Sequence, residues 1–177
     1  MSKSHGELTP PVGPNDHAQG PDDAPMTLVE YGDYECPYCG MAYPIVQRLQ
    51  EKLGNRLRFV FRNFPLTEAH PHANAAAELA EASAPQGKFW EMHDTLYEHQ
   101  DALGAASLQG YARRLDLDLE ALKAVLASGE PHQRVRADFM SGVRSGVNGT
   151  PTFFINGRRF DGDWRDEDAF AVALTKA

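Results

Sequence analysis

Residues 26–39 read MTLVEYGDYECPYC and join a strand-like run to two cysteines that open a helix-like run. Met26 to Tyr31 is apolar and β-branched enough for a buried strand, and the Gly32–Glu35 stretch turns the chain. Cys36 and Cys39 are the only cysteines among the 177 residues. The stretch therefore predicts a strand, a turn and a helix, with a redox-capable pair of thiols where the turn meets the helix.

The spacing of the two cysteines favours a chemical role over a structural one. A disulfide between Cys36 and Cys39 would close a very small ring and would constrain the unfolded chain only slightly. At a helix start, free backbone N–H groups and the helix dipole stabilise a thiolate, and such CxxC cysteines have pKa values lowered to roughly 3.5–7.5. We interpret Cys36 as the nucleophile and Cys39 as the resolving thiol, with Pro37 suited to the first helical turn.

The segments that follow predict a strand–helix–strand unit. Apolar residues recur at helical spacing up to Leu53, Gly54-Asn55 is typical of a helix end, and Pro44 is expected to kink the helix. Residues 57–62 alternate in polarity and predict a second strand. Two strands joined through a helix are expected to pair in parallel.

A long helical region interrupts this α/β pattern. Its sequence is rich in Ala, Leu, Glu and Gln, with breaks at proline and glycine. We predict four helical segments, near residues 71–84, 86–100, 107–127 and 131–145.

Strand character returns near the carboxyl terminus. Residues 152–155 and 158–160 flank Asn156-Gly157, a strong signal for a β-hairpin. Residues 166–176 then predict a closing helix with an acidic start.

These patterns divide the chain into three parts. Residues 1–25, rich in proline and glycine, predict an extended arm of which part adds an edge strand. Residues 26–66 together with 147–177 predict an α/β domain, and residues 67–146 an inserted all-helical domain.

Charge and hydropathy narrow the classes of partner. The chain has 17 basic and 25 acidic residues, a net charge of −8, and no concentrated basic tract, which argues against nucleic-acid binding. No run approaches the roughly 18 apolar residues of a membrane span. The polar start lacks the pattern of a signal peptide. We expect a cytoplasmic protein acting on proteins or small thiols, or an exported one if the chain is a processed form.

Three motifs together resemble the thioredoxin superfamily and, within it, the DsbA-like thiol:disulfide oxidoreductases. They are VEYGDYECPYC at 29–39, FRNFPL at 61–66 and GTPTF at 149–153, and the resemblance spans about residues 24–175. It implies a thioredoxin-like fold, in which a mixed central sheet is flanked by helices and a helical domain is inserted. It also implies exchange of thiols and disulfides with protein substrates, and possible exchange with glutathione or a thioredoxin-type reductant. No metal or organic cofactor is expected, because the two thiols carry both electrons.

The resemblance also implies where a substrate binds. Pro151 is expected to be a cis-proline opposite the cysteines, with Thr150 offering backbone groups to an extended substrate. Pro37 and Tyr38, between the two cysteines, are further candidate substrate contacts.

Glu30 stands six residues before Cys36, where thioredoxin relatives place a buried acid behind the second cysteine. A desolvated carboxyl there would have a raised pKa and could accept the Cys39 proton. The dipeptide between the cysteines is Pro-Tyr rather than the Pro-His of periplasmic oxidants, and Glu35 opposes ionisation of Cys36. We therefore expect a reduction potential between about −120 and −270 mV.

The histidines and the acidic run of the sequence allow further interpretations. The cysteines and His70-Pro71-His72 contain zinc-ligand types, but their spacing is poor for four convergent ligands. We expect His70 and His72 to cap the first inserted helix or to pair locally, and the alternative is that they line the active-site groove. His93 is expected at the surface or its boundary, and the acidic run 161–168 in a solvated loop and helix start.

Two other functional classes are compatible with the resemblance. The kappa glutathione transferases and hydroxychromene carboxylate isomerases share the inserted-helix architecture, but normally lack the second cysteine. A non-catalytic peptide-binding or chaperone module using the groove at Thr150-Pro151 is the other alternative.

Overall fold

The strands of this protein form one mixed five-stranded sheet, seen in a computed structural model that describes residues 6–177. In chain order they are β1 (His17–Gln19), β2 (Met26–Gly32), β3 (Leu57–Asn63), β4 (Thr152–Ile155) and β5 (Arg158–Phe160). Their order across the sheet is β1-β3-β2-β4-β5. The central pair, β2 and β3, is parallel, and the other neighbours are antiparallel.

Seven α-helices accompany the sheet in the described residues. Helix α1 (Pro37–Leu53) connects β2 to β3, and α7 (Glu167–Lys176) follows β5. Five helices lie between β3 and β4: α2 (Ala73–Ser83), α3 (Phe89–Glu98), α4 (Ala105–Arg114), α5 (Leu119–Ser128) and α6 (Glu130–Arg144). The structure therefore has the predicted thioredoxin-like fold, an α/β mixed sheet flanked by helices. None of these helices within residues 6–177 is long and apolar enough to cross a membrane.

One helix of the predicted set is wrong. The sequence pattern predicted a single helix over 107–127, but that region forms α4 and α5, with a break near Asp116. Asp116 adopts a left-handed φ of 54°, which ends α4, and Asp118 caps α5 by accepting a hydrogen bond from Ala121 N at 3.0 Å. The break carries neither glycine nor proline, so the usual helix-breaking signal was absent.

The N-terminal arm contacts both edges of the sheet. The predicted edge strand is confirmed, because β1 pairs antiparallel with β3. Residues 6–8 of the arm reach the opposite edge, where Leu8 N donates to Gly157 O at 2.8 Å. The first five residues of the predicted arm lie outside the described range. The Asn156-Gly157 hairpin is also confirmed, with φ values of 47° and 80° that suit this turn.

Alternation along β2 assigns its residues to the two faces of the sheet. Leu28 packs in the larger apolar cluster, with residues of α1, α3 and α7. Val29 and Tyr31 pack in the smaller cluster on the other face. Glu30 shares the face of Leu28, so its carboxyl enters the main core directly behind the start of α1.

Candidate active site

The two cysteines occupy different positions at the start of α1. Cys36 is the extended residue before the helix, with φ −69° and ψ 121°, and Pro37 takes the first helical turn. Cys39 lies inside that turn and is fully buried, whereas Cys36 is 4% exposed. Both are free thiols in this structure. The helix start therefore presents Cys36 first, with Cys39 behind it.

The environment of Cys36 favours the thiolate. The Cys39 thiol is the strongest influence, and it lowers the pKa of Cys36 to about 5 together with the Thr150 side chain and the Cys39 and Tyr38 amides, against the opposing effect of burial. As a thiol, Cys36 Sγ donates to Thr150 O at 3.5 Å. The hydrogen bond from the Cys39 thiol is therefore the main stabilisation of the Cys36 thiolate, and the backbone amides at the helix start add a smaller contribution.

The segment opposite the cysteines is the turn into β4. The Thr150–Pro151 peptide bond is cis, the isomer that the resemblance implies. The hydroxyl of Thr150 is buried and makes no hydrogen bond within the described protein. This hydroxyl is therefore free to donate to the Cys36 thiolate.

A groove of about 360 Å³ lies beside this segment. Its walls include Tyr38, Thr150, Pro151 and Trp164. Tyr38 is 57% exposed, which confirms its expected position near the surface. Trp164 comes from the acidic loop before α7, and sequence reasoning missed it because nothing in the local pattern ties that loop to the cysteines.

Asp33, another residue that the sequence reasoning did not single out, organises the loop before Cys36. Its Oδ1 accepts from Glu35 N at 2.8 Å and Cys36 N at 3.2 Å. Its Oδ2 accepts from Leu66 N and lies 2.8 Å from His70 Nδ1. One buried carboxylate thus joins the nucleophile's backbone to the segment that enters the inserted helices.

His70 and His72 both pair with acids of the active-site loop. Burial opposes protonation of His70, but the Asp33 carboxylate outweighs it and raises the pKa of His70. His72 lies 2.9 Å from Glu35 Oε1, and its amide donates to Glu35 Oε2 at 2.6 Å. His72 occupies the N-cap position of α2, as expected, but its side chain makes no capping hydrogen bond. Both partners are distant in sequence, so the expectation of local pairing is wrong.

Gln100 braces the same turn from the inserted helices. Its Nε2 donates to Tyr34 O and to Cys36 O, both at 2.9 Å. It passes so close to Gly40 that a β-carbon there would lie 2.0 Å from Gln100 Oε1. A larger residue at position 40 would have to displace the Gln100 side chain from the turn, a contact that the sequence alone does not reveal.

Glu30 is buried behind the cysteines, at 2% exposure. Burial raises the pKa of Glu30 to about 8, and the Cys36 charge acts in the same direction. Burial also raises the pKa of Cys39 well above its ordinary value, with contributions from the Cys36 hydrogen bond and the Glu30 charge. An uncharged Cys39 and a carboxyl that titrates near neutral pH form a suitable acid–base pair.

His93 is not at the surface, so the expectation from the sequence is wrong. It is 3% exposed and its ring packs against aromatic side chains, including Phe61 at a centroid distance of 4.7 Å. Burial lowers the pKa of His93 to about 3. The α3 helix therefore turns a polar residue inward, and an apolar-face pattern alone does not distinguish the two cases.

The structure brings together most of the residues predicted from the sequence. Cys36, Pro37, Tyr38 and Cys39 share the start of α1, with Thr150 at the Cys36 sulfur. Within residues 6–177, no group of three or more His, Cys, Asp or Glu side chains is arranged to hold a metal ion.

Comparison with known families and sequences adds two findings. Residues 13–172 match the protein family described as Thioredoxin. A protein of Salinispora arenicola named Na(+)/H(+) antiporter NhaA 1 is 51% identical over 172 residues, which are 97% of this chain and 26% of that protein. The chain therefore spans about a quarter of the length of this relative.

Two solved structures share the arrangement of helices and strands. A thioredoxin-like oxidoreductase from Silicibacter pomeroyi has a TM-score of 0.80 and 27% identity, with 93% of this chain and 94% of that chain covered. Wolbachia pipientis alpha-DsbA1 has a TM-score of 0.78 and 21% identity, with 94% and 92% covered. The second likeness concerns the fold alone.

Proposed function

This chain belongs to the thioredoxin family, as a DsbA-like member of the superfamily, and from that premise we propose that it exchanges disulfides through Cys36 and Cys39. The observation that carries the proposal is that the surroundings shift the pKa values of the two thiols in opposite directions. Cys36 has its pKa lowered to about 5, while the pKa of Cys39 is raised by burial. Cys36 is therefore ionised and nucleophilic at neutral pH, whereas Cys39 stays protonated.

The first step is attack by the Cys36 thiolate on a substrate disulfide. A bond forms between Cys36 Sγ and one substrate sulfur, and the other substrate sulfur leaves as a thiolate. The Thr150 hydroxyl and the amides at the start of α1 stabilise the attacking charge. An extended substrate backbone pairs with Thr150 and packs along Pro151, with Pro37 and Tyr38 as further contacts.

The second step is resolution of the mixed disulfide. Glu30 accepts the Cys39 proton, and Cys39 Sγ attacks Cys36 Sγ. The bound substrate sulfur leaves as a thiolate, so the substrate is reduced and the protein is oxidised. The same steps in reverse transfer a disulfide to a substrate dithiol.

The substrates that we propose are disulfide- or thiol-containing proteins, with glutathione or a thioredoxin-type protein as redox partner. The antiporter name of the Salinispora protein is not carried over. The chain corresponds to 26% of that protein's length, and its own family match is to thioredoxins.

We also propose whether the protein reduces or oxidises its substrates. Thioredoxin and DsbA have nucleophile pKa values near 7 and 3.5, so a value of about 5 supports a potential between theirs. A more stable thiolate favours the reduced form and raises the potential. With the expected cytoplasmic location, where stable disulfides are rare, we propose reduction, isomerisation or redox defence. An exported protein would instead favour oxidation.

The decisive experiment is a redox titration of Cys36 and Cys39 in defined glutathione ratios, with thiols trapped at each point. We expect a reversible two-electron transition between about −120 and −270 mV. A value above about −180 mV indicates an oxidant or isomerase, and one near −270 mV a reductant. The Cys36→Ser variant is the control and gives no transition.

The same titration separates the alternatives. If no Cys36–Cys39 disulfide forms under any ratio, the proposed exchange is wrong. Peptide binding retained by Cys36→Ser would then support a non-catalytic module that uses the groove at Pro151.

A further inference from the structure

A small cavity lies on the inner side of the active site, between α1, α3 and the sheet. Its volume is about 90 Å³. Its polar lining includes Glu30, Tyr43, Gln47, Gln50, His93 and Asp94. Because Glu30 forms part of this wall, the cavity reaches the carboxyl that the proposed mechanism uses.

One oxygen of the Glu30 carboxyl has no hydrogen-bond partner in the described protein. That oxygen, Oε1, is buried. A water needs about 10–15 Å³ and two to four polar partners. The cavity is large enough for water, and its carboxyl, amide and hydroxyl groups supply partners.

The outer part of the lining leads toward solvent. Gln47 is exposed, and its Nε2 donates to the Tyr43 hydroxyl at 2.8 Å. That hydroxyl lies 3.5 Å from Glu98 Oε1 at the surface. Asp94 is only partly buried, and burial raises the pKa of its carboxyl. A partly exposed carboxyl in the wall of a cavity that can hold water is suited to receive protons and release them to solvent.

His93 is a poor proton carrier despite its place in the wall. Burial lowers its pKa to about 3, so its ring stays neutral. Its Nδ1 is 3.0 Å from the Tyr34 hydroxyl and is already engaged. Asp94 is therefore the titratable group best placed to take a proton from the cavity.

The proposed mechanism requires such an exit. When the mixed disulfide forms, substrate covers the front of the site, and Cys39 has no exposed surface of its own. Resolution moves the Cys39 proton to Glu30, whose carboxyl must lose it before the next cycle. We propose that the cavity is the proton exit of Glu30, with water inside it passing the proton to Asp94 and then to solvent.

This inference rests on the proposed thiol exchange and adds a positioning role for Asp94. In the balanced step, the proton that Cys39 loses on forming its bond to Cys36 reaches bulk water through Glu30, cavity water and Asp94. The titratable groups around Glu30 are those of α1, α3 and the preceding loop: Cys36, Cys39, Tyr43, His93, Asp94, Tyr97 and Tyr34.

A chromogenic aromatic disulfide separates the two chemical steps in stopped flow. The first release of chromophore reports attack by Cys36, and the second reports resolution by Cys39. In Asp94→Asn we expect the rate of the second phase to fall by roughly five- to tenfold at pH 7. This loss is smaller than the loss expected for Glu30→Gln, because Glu30 itself takes the Cys39 proton. The first phase stays unchanged, the solvent deuterium isotope effect on the second phase increases, and added imidazole restores the rate.

The matched control is Asp101→Asn. It removes one negative charge at an exposed acid just beyond α3 that does not line the cavity. Both phases are expected to keep the wild-type rates.

A second variant tests the cavity without touching an acid. Val46 is buried in the cavity wall, and Val46→Met would occupy part of the space that water needs. We expect the second phase to slow and its pH midpoint to rise, because a less hydrated carboxyl ionises less readily.

The outcomes are distinguishable. Wild-type second phases in both Asp94→Asn and Val46→Met would overturn the proton exit while leaving thiol exchange intact. In a third outcome, Asp94→Asn slows the second phase, imidazole does not restore the rate, and the variant also loses thermal stability. That result would show that Asp94 has only a structural role. Absence of a second phase in the wild-type protein would instead contradict the proposed function.

Discussion

Cys36 and Cys39 are three residues apart on one helix turn, yet their surroundings drive their ionisation in opposite directions. Cys36 precedes the helix, faces Thr150 and has its pKa lowered to about 5. Cys39 lies inside the turn, faces the core and has its pKa raised by burial. The comparison teaches that the division of labour in a CxxC motif comes from the side of the helix start on which each sulfur lies.

The largest effects are expected from removing each sulfur in turn. Cys36→Ser abolishes exchange, because no other thiol has an ionised sulfur at the groove. Cys39→Ser keeps fast alkylation of Cys36 but accumulates mixed disulfides, since nothing resolves them. Mass spectrometry after incubation with oxidised glutathione checks both results. Equal accumulation in the two variants would contradict the assignment of roles.

The next effect concerns the acid behind Cys39. Glu30→Gln should slow resolution by about 10²-fold at pH 7, since Cys39 loses its general base. The rate of Cys36 attack should change little. The two-phase stopped-flow assay measures both, and an unchanged second phase would remove Glu30 from the mechanism.

Glu30 also makes stability depend on pH. Its folded pKa of about 8 lies above its ordinary value of 4.5, so its contribution is fully present below about pH 4.5 and is lost as pH rises through 8. Glu30→Gln should remove that loss. Relative to wild type, the variant should gain on the order of 2–4 kcal/mol in free energy of unfolding between pH 5 and 9. Urea titrations of the Cys36→Ser background isolate this contribution from that of the nucleophile, and a constant difference across pH would contradict it.

A smaller effect is expected at the Cys36 side of the comparison. Thr150→Val removes the buried hydroxyl that stabilises the thiolate while keeping the shape of the side chain. The pKa of Cys36 should rise by roughly one unit. The pH profile of iodoacetamide alkylation measures it. Thr175→Val, on α7 and far along the chain, is the matched control and should leave the profile unchanged.

The smallest effect is expected at His70. Its Nδ1 lies 2.8 Å from Asp33 Oδ2, and the Cys36 charge is among the causes that raise the pKa of His70, so protonation of this ring and ionisation of Cys36 favour each other. His70→Asn should raise the alkylation midpoint by only roughly 0.2–0.5 unit, because partly exposed charge pairs contribute about 0.2–1 kcal/mol. His132→Asn, whose histidine pairs with Glu78 on the inserted helices, is the control. An unchanged midpoint would show that the Asp33 pair holds the loop without affecting the thiolate.

Much of the fold was predictable because its signals are local. The apolar run 26–31, the alternation at 57–62 and the Asn156-Gly157 turn each determine their own backbone conformation, and all three predictions are confirmed. The single helix over 107–127 failed because the residues 115–118 that separate α4 from α5 include no proline or glycine.

The site was predictable only where chain neighbours carry it. The CxxC and its helix start are one continuous stretch, so the position of each cysteine at the helix start could be predicted from the sequence. The Asp33–His70 pair, the Gln100 brace and Trp164 unite residues from distant segments. No spacing in the sequence indicates such contacts.

The sequence by itself determined the elements of the sheet, the redox pair and the side of the helix start on which each thiol lies. Only the tertiary structure decided the burial of His93, the pairing of His70 with Asp33 and of His72 with Glu35, and the cavity lined by both Glu30 and Asp94. The physical reason is the distance along the chain over which each effect acts. Backbone conformation and helix dipoles act within a few residues, whereas desolvation and hydrogen bonding depend on what the rest of the fold packs against each group.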